Sequence, residues 1–229
     1  MLSGGLDSAI LVGHLLRGGQ TVQPIYVQSN LFWQHAELPA VQAYLARLGD
    51  EYPGLHPLVV LELPLADLYD GHWSLTGADP PDALTPDDAV YLPGRNLLLL
   101  VKAGLWCQLH GIGQLALGVL GTNPFPDATA QFFDAFEAAL NGGAGPALRI
   151  LRPFGALKKC QVMELGRGLP LELTFSCIAP VSGLHCGRCN KCAERQAAFR
   201  QGNWLDPTPY AGSQVGEGGR PPTMPPGKA

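Results

Sequence analysis

Four of the six cysteines in this 229-residue chain fall within sixteen residues towards its carboxyl end. They are Cys177, Cys186, Cys189 and Cys192. Four thiolates complete a tetrahedral Zn²⁺ shell and leave no position for a substrate, so we predict a structural zinc site. An iron–sulfur cluster is the alternative, because Cys-x-x-Cys-x-x-Cys spacing also occurs in such sites. We expect the neighbouring His185 to be a solvated loop residue, and Cys107 and Cys160 to be buried without a chemical role.

The second stretch that could do chemistry is Ser3-Gly4-Gly5-Leu6-Asp7-Ser8. Paired glycines let backbone N–H groups close around an anion such as pyrophosphate, and a helix that begins there adds its positive end. Ser3 and Ser8 can donate hydroxyl hydrogen bonds to phosphate oxygens. Asp7 needs a cation between itself and a phosphate, so Mg²⁺ is implied. A capped glycine turn is the alternative reading, and the missing GxxxxGK[ST] pattern disfavours a P-loop kinase.

The segments that must position these two stretches alternate between helical and strand patterns. Helical periodicity covers residues 9–17, 37–48, 96–109, 129–141 and 157–165. Strand patterns cover residues 21–28, 56–64, 113–120 and 148–154. This alternation predicts one α/β domain with a parallel sheet and helices on both faces, carrying the cysteine knuckle at its C-terminal end. We place the domain at 1–205, with an irregular excursion at 69–90, and a mostly disordered Gly/Pro-rich tail at 206–229.

The glycine loop lacks the strand that normally precedes it. A hydrophobic strand usually delivers such a loop to the carboxyl edge of a sheet, yet only Met1 and Leu2 come before Ser3. We therefore expect the natural chain to begin several residues upstream, with a first strand rich in Val, Leu and Ile. Adding that segment is predicted to raise the melting temperature.

Composition narrows the range of partners. The formal charge of -4 and the isoelectric point near 5.8 provide no basic surface for neutralising nucleic-acid phosphates, so we expect a small-molecule substrate and no nucleic-acid partner. No charged segment leads into an apolar stretch at the beginning of the sequence, and no apolar run is long enough for a bilayer. We expect a soluble, cytoplasmic protein, and bunched cysteines suit a reducing compartment better than a disulfide framework.

Several blocks occur together and in this order: SGGLDS at 3–8, Tyr26-Val-Gln28 followed by Glu37-Leu38, LPGRN at 92–96, Pro126-Asp127, the Lys159 segment, TFSC at 174–177 and HCGRCNKCAERQAAF at 185–199. In this combination the chain resembles the 7-cyano-7-deazaguanine synthase family of PP-loop ATP pyrophosphatases. The resemblance implies a Rossmann-like fold, ATP with Mg²⁺, Zn²⁺ in the cysteine site and a homodimer. It also implies a C–N ligase of queuosine biosynthesis, in which ATP adenylates 7-carboxy-7-deazaguanine, ammonia displaces AMP, and a second activation dehydrates the amide to a nitrile.

The resemblance also implies roles for single residues. It assigns ATP binding to Ser3, Gly4, Gly5, Leu6, Asp7, Ser8, Arg95 and Asn96, catalysis to Asp7, Arg95 and Lys159, and substrate binding to Tyr26, Gln28 and Asp127. Arg95 and Lys159 are suited to neutralising phosphate charge. The alternatives are a surface pair with an aspartate for Arg95 and capping of the following helix for Asn96.

Three other functions stay open. Near Asp127 only the Pro-Asp pair matches the longer family pattern, so a paralogue that adenylates another carboxylate or carbonyl is one alternative. A tRNA-modifying thiolase is the second, although the acidic chain offers no RNA-binding patch. The third is a non-enzymatic zinc-knuckle interaction module, which the intact glycine loop disfavours. Phe32, Trp33 and Phe125 are candidates for stacking on a heterocycle, with core packing as the alternative for each.

Overall fold

The computed structural model describes residues 1–143 and 145–212. Its helices are α1 (Leu6–Arg17), α2 (Gln34–Gly49), α3 (Trp73–Thr76), α4 (Arg95–Leu109), α5 (Ala130–Gly143), α6 (Lys159–Leu165) and α7 (Asn190–Gln201). Its strands are β1 (Ile25–Gln28), β2 (Val59–Glu62), β3 (Gln114–Ala116) and β4 (Arg149–Leu151), and short 3-10 turns occupy Asp87–Val90, Pro126–Ala128 and Leu171–Leu173. In this described part, no helix is both long and apolar enough to cross a membrane.

The strands form two parallel pairs. β1 pairs with β2, with Ile25 opposite Val59, and β3 pairs with β4, with Leu115 opposite Ile150. Both pairs are parallel, so each needs a crossover connection, and the helices between the strands supply it.

Helices cover both faces of the strands. In β1, Ile25 packs with Leu100 of α4 and Phe133 of α5, whereas its neighbour Tyr26 packs in a second core that contains Ile10 of α1. Successive residues of a strand point to opposite faces, so these two cores lie on opposite sides of β1. The predicted Rossmann-like α/β fold is confirmed.

Most predicted elements are present with shifted ends. The long helices α1, α2, α4 and α5 are confirmed, although α1 and α2 begin at Leu6 and Gln34 rather than at 9 and 37. The strands are shorter than predicted, since each keeps only the residues that pair with a neighbour. The excursion at 69–90 contains α3 and a 3-10 turn. Helix α7 was not predicted.

The two strand pairs meet at the beginning of the chain. The Leu2 N–H donates to the carbonyl of Ile25 at 2.9 Å, and the Met1 amino group donates to the carbonyl of Ala116 at 2.7 Å. Beside these bonds lies a cavity of ≈ 420 Å³ lined by α1 and by the facing residues of β1 and β3. The expected upstream strand remains a prediction.

The segment after α7 packs on the cysteine region. Arg195 Nε donates to Thr208 Oγ1 at 2.6 Å, and the Ala211 N–H donates to the carbonyl of His185 at 2.8 Å. Residues 206–212 were expected to begin a disordered tail, but these bonds attach them to the domain. The rest of the expected tail, 213–229, lies outside the described residues.

Candidate active site and metal centre

The glycine loop turns directly into α1. Gly4 has a φ of +77°, and a Cβ atom there would lie 2.5 Å from Glu37 Cγ, so both backbone conformation and space require glycine. The Gly4 carbonyl accepts a hydrogen bond from the Phe175 N–H at 2.8 Å. Gly5 is the N-cap of α1 and provides no side-chain cap. The first turn of α1 therefore presents uncapped backbone N–H groups, the arrangement that favours an anion.

The two loop serines contact each other across this turn. The Ser3 hydroxyl donates to Ser8 Oγ at 3.2 Å, and Ser8 Oγ also accepts from the Ser3 N–H at 3.1 Å. Ser8 is buried and its hydroxyl donates to the Gly5 carbonyl at 3.1 Å. These bonds close the loop on itself and keep both hydroxyl groups at the mouth of the helix.

A row of charged side chains extends from the loop. Lys159 Nζ, at the beginning of α6, donates to both carboxylate oxygens of Asp7 at 2.8 Å. Burial raises the pKa of Asp7 above its usual value, and the Lys159 ammonium opposes that shift. These two residues are 152 positions apart in the sequence, and the fold brings them into contact. Two of the predicted catalytic residues are therefore in direct contact.

Asp7 and Lys159 lie on one wall of a cavity of ≈ 260 Å³. Ser3, Gly5, Leu6, Ser8, Arg95 and Asn96 also line it, together with residues that were not predicted, namely Glu37, Lys191, Glu194 and Arg195. Trp33 and Trp73, stacked with their ring centroids 5.8 Å apart, line the cavity as well. The site thus combines polar groups beside the glycine loop with a stacked tryptophan pair, in which Trp33 is buried and Trp73 is partly exposed.

Arg95 and Asn96 open α4 after Gly94, a left-handed N-cap. Asn96 was considered as the cap, but it lies within the helix, and its N–H and side-chain amide donate to the Asp127 carboxylate and carbonyl, each at 3.0 Å. Asp127 therefore performs the capping. The alternative of a surface pair between Arg95 and an aspartate is not found among the described residues.

The predicted substrate residues do not line this cavity, although two of them contact residues that do. Tyr26 is buried, and its hydroxyl donates to Glu37 Oε2 at 2.7 Å. Tyr26, Gln28 and Asp127 are absent from the lining of this cavity. Glu37, which does line it, is 4% exposed, and burial raises its pKa to about 7 against opposing interactions with Tyr26 and Arg95. Residue type alone gave no sign of Glu37; its place beside Leu38 in a matched block was the only signal.

The four clustered cysteines converge on one point. All four sulfur atoms lie within 4.8 Å of one another, with Cys177 3.8 Å from Cys189 and Cys186 3.9 Å from Cys192. A tetrahedron of 2.3 Å zinc–sulfur bonds has edges of about 3.8 Å, so the sulfurs fit that ion. All four cysteines are buried, and four buried thiolates this close together need a cation to balance their charge.

Backbone N–H groups support the thiolates. Cys186 N and Cys189 N donate to the preceding cysteine sulfurs, Cys177 Sγ and Cys186 Sγ, each at 3.3 Å. His185 is 2% exposed rather than solvated, because its ring lies between Phe175 and Tyr210.

Two cysteines lie outside the cluster. Cys107 is buried, as expected. Cys160 was also expected to be buried, but it is exposed, because it lies on the outer side of the first turn of α6.

Comparison with known proteins assigns the family. A family model described as "Queuosine biosynthesis protein QueC" matches residues 1–203, a range that includes the loop, the cavity and the cysteine cluster. The chain belongs to the QueC family.

Three relatives of this chain share the name "7-cyano-7-deazaguanine synthase". That of Desulfotalea psychrophila is 30% identical over 217 residues, covering 92% of this chain and 96% of its own. That of Novosphingobium aromaticivorans is 32% identical over 223 residues, covering 93% of each. That of Methanothermobacter thermautotrophicus is 29% identical over 223 residues, covering 92% and 97%. In each comparison the similarity therefore extends over nearly the full length of both chains.

Proposed function

We propose that this chain synthesises 7-cyano-7-deazaguanine from 7-carboxy-7-deazaguanine and ammonia, at the expense of ATP, as a step of queuosine biosynthesis. One observation carries the proposal: a single cavity joins the uncapped glycine loop and the Asp7–Lys159 pair to an aromatic surface, in a chain of the QueC family. A carboxylate is a poor electrophile, and ATP supplies the AMP group that turns its oxygen into a leaving group.

The phosphates of ATP are bound by α1 and the residues next to it. The N–H groups that follow Gly5 bind phosphate oxygens, and the hydroxyls of Ser3 and Ser8 add hydrogen bonds. Asp7 would hold Mg²⁺, since a carboxylate needs a cation to approach phosphate. Lys159 and Arg95 stabilise the negative charge that develops at the transferring group, which is the main contribution that preorganised cations make to such steps.

The substrate end is formed by aromatic and buried polar groups. We assign stacking of the heterocycle to Trp33 and Trp73. Tyr26 contributes by holding Glu37 in the wall, and Asp127 by holding Asn96. Direct contact of Gln28 with the substrate stays a prediction.

The metal and the assembly complete the proposal. Zn²⁺ on Cys177, Cys186, Cys189 and Cys192 has a structural role, because four protein ligands leave no open position. We also propose a homodimer, on the family resemblance, and a cytoplasmic location, because unbridged thiols persist in a reducing compartment.

One assay tests the proposed reaction. The purified protein is incubated with ATP, Mg²⁺, an ammonium salt and 7-carboxy-7-deazaguanine, and the product is identified by mass spectrometry. We expect the nitrile, with AMP released. Asp7→Ala should abolish pyrophosphate release while the far-ultraviolet circular dichroism spectrum stays that of the wild type. AMP formation only with a different acid would reassign the substrate, and unchanged pyrophosphate release from Asp7→Ala would remove the mechanism.

A further inference from the structure

The row of charges that begins at Asp7 continues onto the cysteine knuckle. Lys159 Nζ lies 2.8 Å from Asp7 Oδ2 and 3.9 Å from Glu194 Oε1, and Glu194 Oε2 accepts from Lys191 Nζ at 2.7 Å. Acidic and basic groups alternate along this row, and Lys191 is its last member. Two carboxylates thus balance two ammonium groups.

The cysteine ligands determine where Lys191 lies. It stands between Cys189 and Cys192, in the first turn of α7, so two of the four sulfur ligands flank its backbone. Its side chain lines the main cavity and also a neighbouring cavity of ≈ 370 Å³, which shares Asp7, Lys159 and Glu194 with it. Lys191 therefore lines the same cavity as the glycine loop.

The salt bridge between Lys191 and Glu194 is weak. The two residues are three apart on one helix, and their side chains are 29% and 43% exposed. Such exposed helical pairs contribute well under 1 kcal/mol. Glu194 also lies 3.9 Å from Lys159 Nζ, a looser contact than its 2.7 Å contact with Lys191.

We propose that Lys191 is a further phosphate-binding residue. Its ammonium group breaks its contact with Glu194 and binds the pyrophosphate end of the nucleotide. This inference rests on the proposed ATP site. With Asp7 committed to a cation, Lys159 is released towards the phosphates, and Lys191 adds a second ammonium group there. A triphosphate carries about four negative charges, whereas Mg²⁺ on Asp7 together with Lys159 and Arg95 contributes a net charge of about +3, so one further cation completes the balance.

Binding of inorganic pyrophosphate tests the role of Lys191. Isothermal titration calorimetry with pyrophosphate and Mg²⁺ is performed on the full-length wild type and on Lys191→Gln, Lys191→Arg and Lys102→Gln. Lys102 lies exposed on α4 outside both cavities, so Lys102→Gln removes the same charge elsewhere. We expect Lys191→Gln to bind about tenfold more weakly, the loss typical of one charge-assisted hydrogen bond, Lys191→Arg to stay within about threefold of wild type, and Lys102→Gln to be unchanged.

Metal content and melting temperature of each variant are measured alongside, and both should match the wild type. Affinity of Lys191→Gln within about twofold of the wild type, an equal loss in Lys102→Gln, or no pyrophosphate binding by the wild type would each overturn the proposal. The outcome is separable from the proposed function. If the wild type forms the nitrile and Lys191→Gln binds pyrophosphate as tightly as the wild type, only the role of Lys191 is refuted. If Lys191→Gln binds pyrophosphate more weakly but the wild type forms no nitrile, only the proposed substrate is refuted.

Discussion

Gly4 meets two separate requirements, a left-handed backbone and an absence of space for a side chain. Its missing Cβ would lie 2.5 Å from Glu37 Cγ and 3.1 Å from the Phe175 carbonyl oxygen. Glu37 is in turn held by the Tyr26 hydroxyl. The shape of the phosphate loop therefore depends on a buried carboxylate that is 33 residues away in the sequence.

Gly4→Ala is predicted to lower stability and to abolish nucleotide binding. The left-handed conformation alone costs an L-residue about 1–2 kcal/mol, and the clash with Glu37 adds to it. Gly19→Ala is the matched control, because Gly19 has a φ of +75° with nothing within 4 Å of its Cβ position. Thermal unfolding should show a larger loss for Gly4→Ala than for Gly19→Ala, and calorimetry with ATP should show binding only for the latter. Equal losses would show that the contact with Glu37 is unimportant.

Glu37 is predicted to make stability depend on pH. Burial raises its pKa from 4.5 to about 7, so the folded protein keeps a proton that the unfolded chain releases in this interval. The stabilisation is complete below pH 4.5 and is lost as pH rises towards 7. At 1.36 kcal/mol per pH unit the loss amounts to roughly 3 kcal/mol.

Glu37→Gln removes this titration, so its free energy of unfolding should fall less between pH 4.5 and 7 than that of the wild type. Urea titrations at several pH values measure the difference. Glu172→Gln, at an exposed position, serves as the control and should keep the wild-type slope. Parallel curves for the wild type and Glu37→Gln would contradict the assignment.

The lengths of the long helices were easier to predict than the lengths of the strands. The apolar stripe of α1 runs over three turns and identifies it, whereas β3 and β4 contain three residues each, too few for a period to emerge. Helix α7 was not predicted because two of its buried positions are Asn190 and Cys192, which do not form a recognisable apolar face. In that helix the metal site takes the place of part of the core.

Those parts of the candidate site whose residues are close together in the sequence were predictable. The glycine loop and the four cysteines are recognisable because each set is nearly contiguous. The Asp7–Lys159 contact and the wall formed by Glu37 join residues that are distant in sequence, and no local pattern encodes such pairings. Arg195 is a similar case: its guanidinium is buried, donating to Thr174, Leu171 and Thr208.

Cys189→Ser is predicted to release the metal and to detach α7 from the cavity. Loss of one of four ligands removes a binding energy that is also folding energy for this segment. Elemental analysis should find about one zinc per wild-type chain and less in the variant, with increased proteolysis of the C-terminal third. Cys160→Ser, which changes an exposed cysteine outside the cluster, should behave as the wild type. Recovery of iron with acid-labile sulfide would contradict zinc.

At the scale of the whole molecule, the two strand pairs share few hydrogen bonds. Helix α4 contacts both β1 and β3, and Met1 and Leu2 supply the hydrogen bonds between the pairs. The Met1 amino group is buried there, and burial lowers its pKa to about 6. Among the described residues, the hydrogen bonds between the two pairs are thus confined to Met1 and Leu2.

An apolar, β-branched segment of about five residues, fused directly ahead of Met1, is predicted to raise the melting temperature. It would add several backbone hydrogen bonds at about 1 kcal/mol each, fill the ≈ 420 Å³ cavity and replace the buried amine by a peptide bond. Each kcal/mol corresponds to about 2–4 °C in a chain of this size. An equally long Gly/Ser segment is the control, and the same melting temperature for both fusions would refute the prediction.

The helix that carries Lys191, Glu194 and Arg195 into the cavity starts inside the sulfur cluster. Loss of the metal from this cluster would therefore disturb the nucleotide end although no ligand is bound there. A chelator would inactivate the enzyme in this way, and added Zn²⁺ would restore the activity.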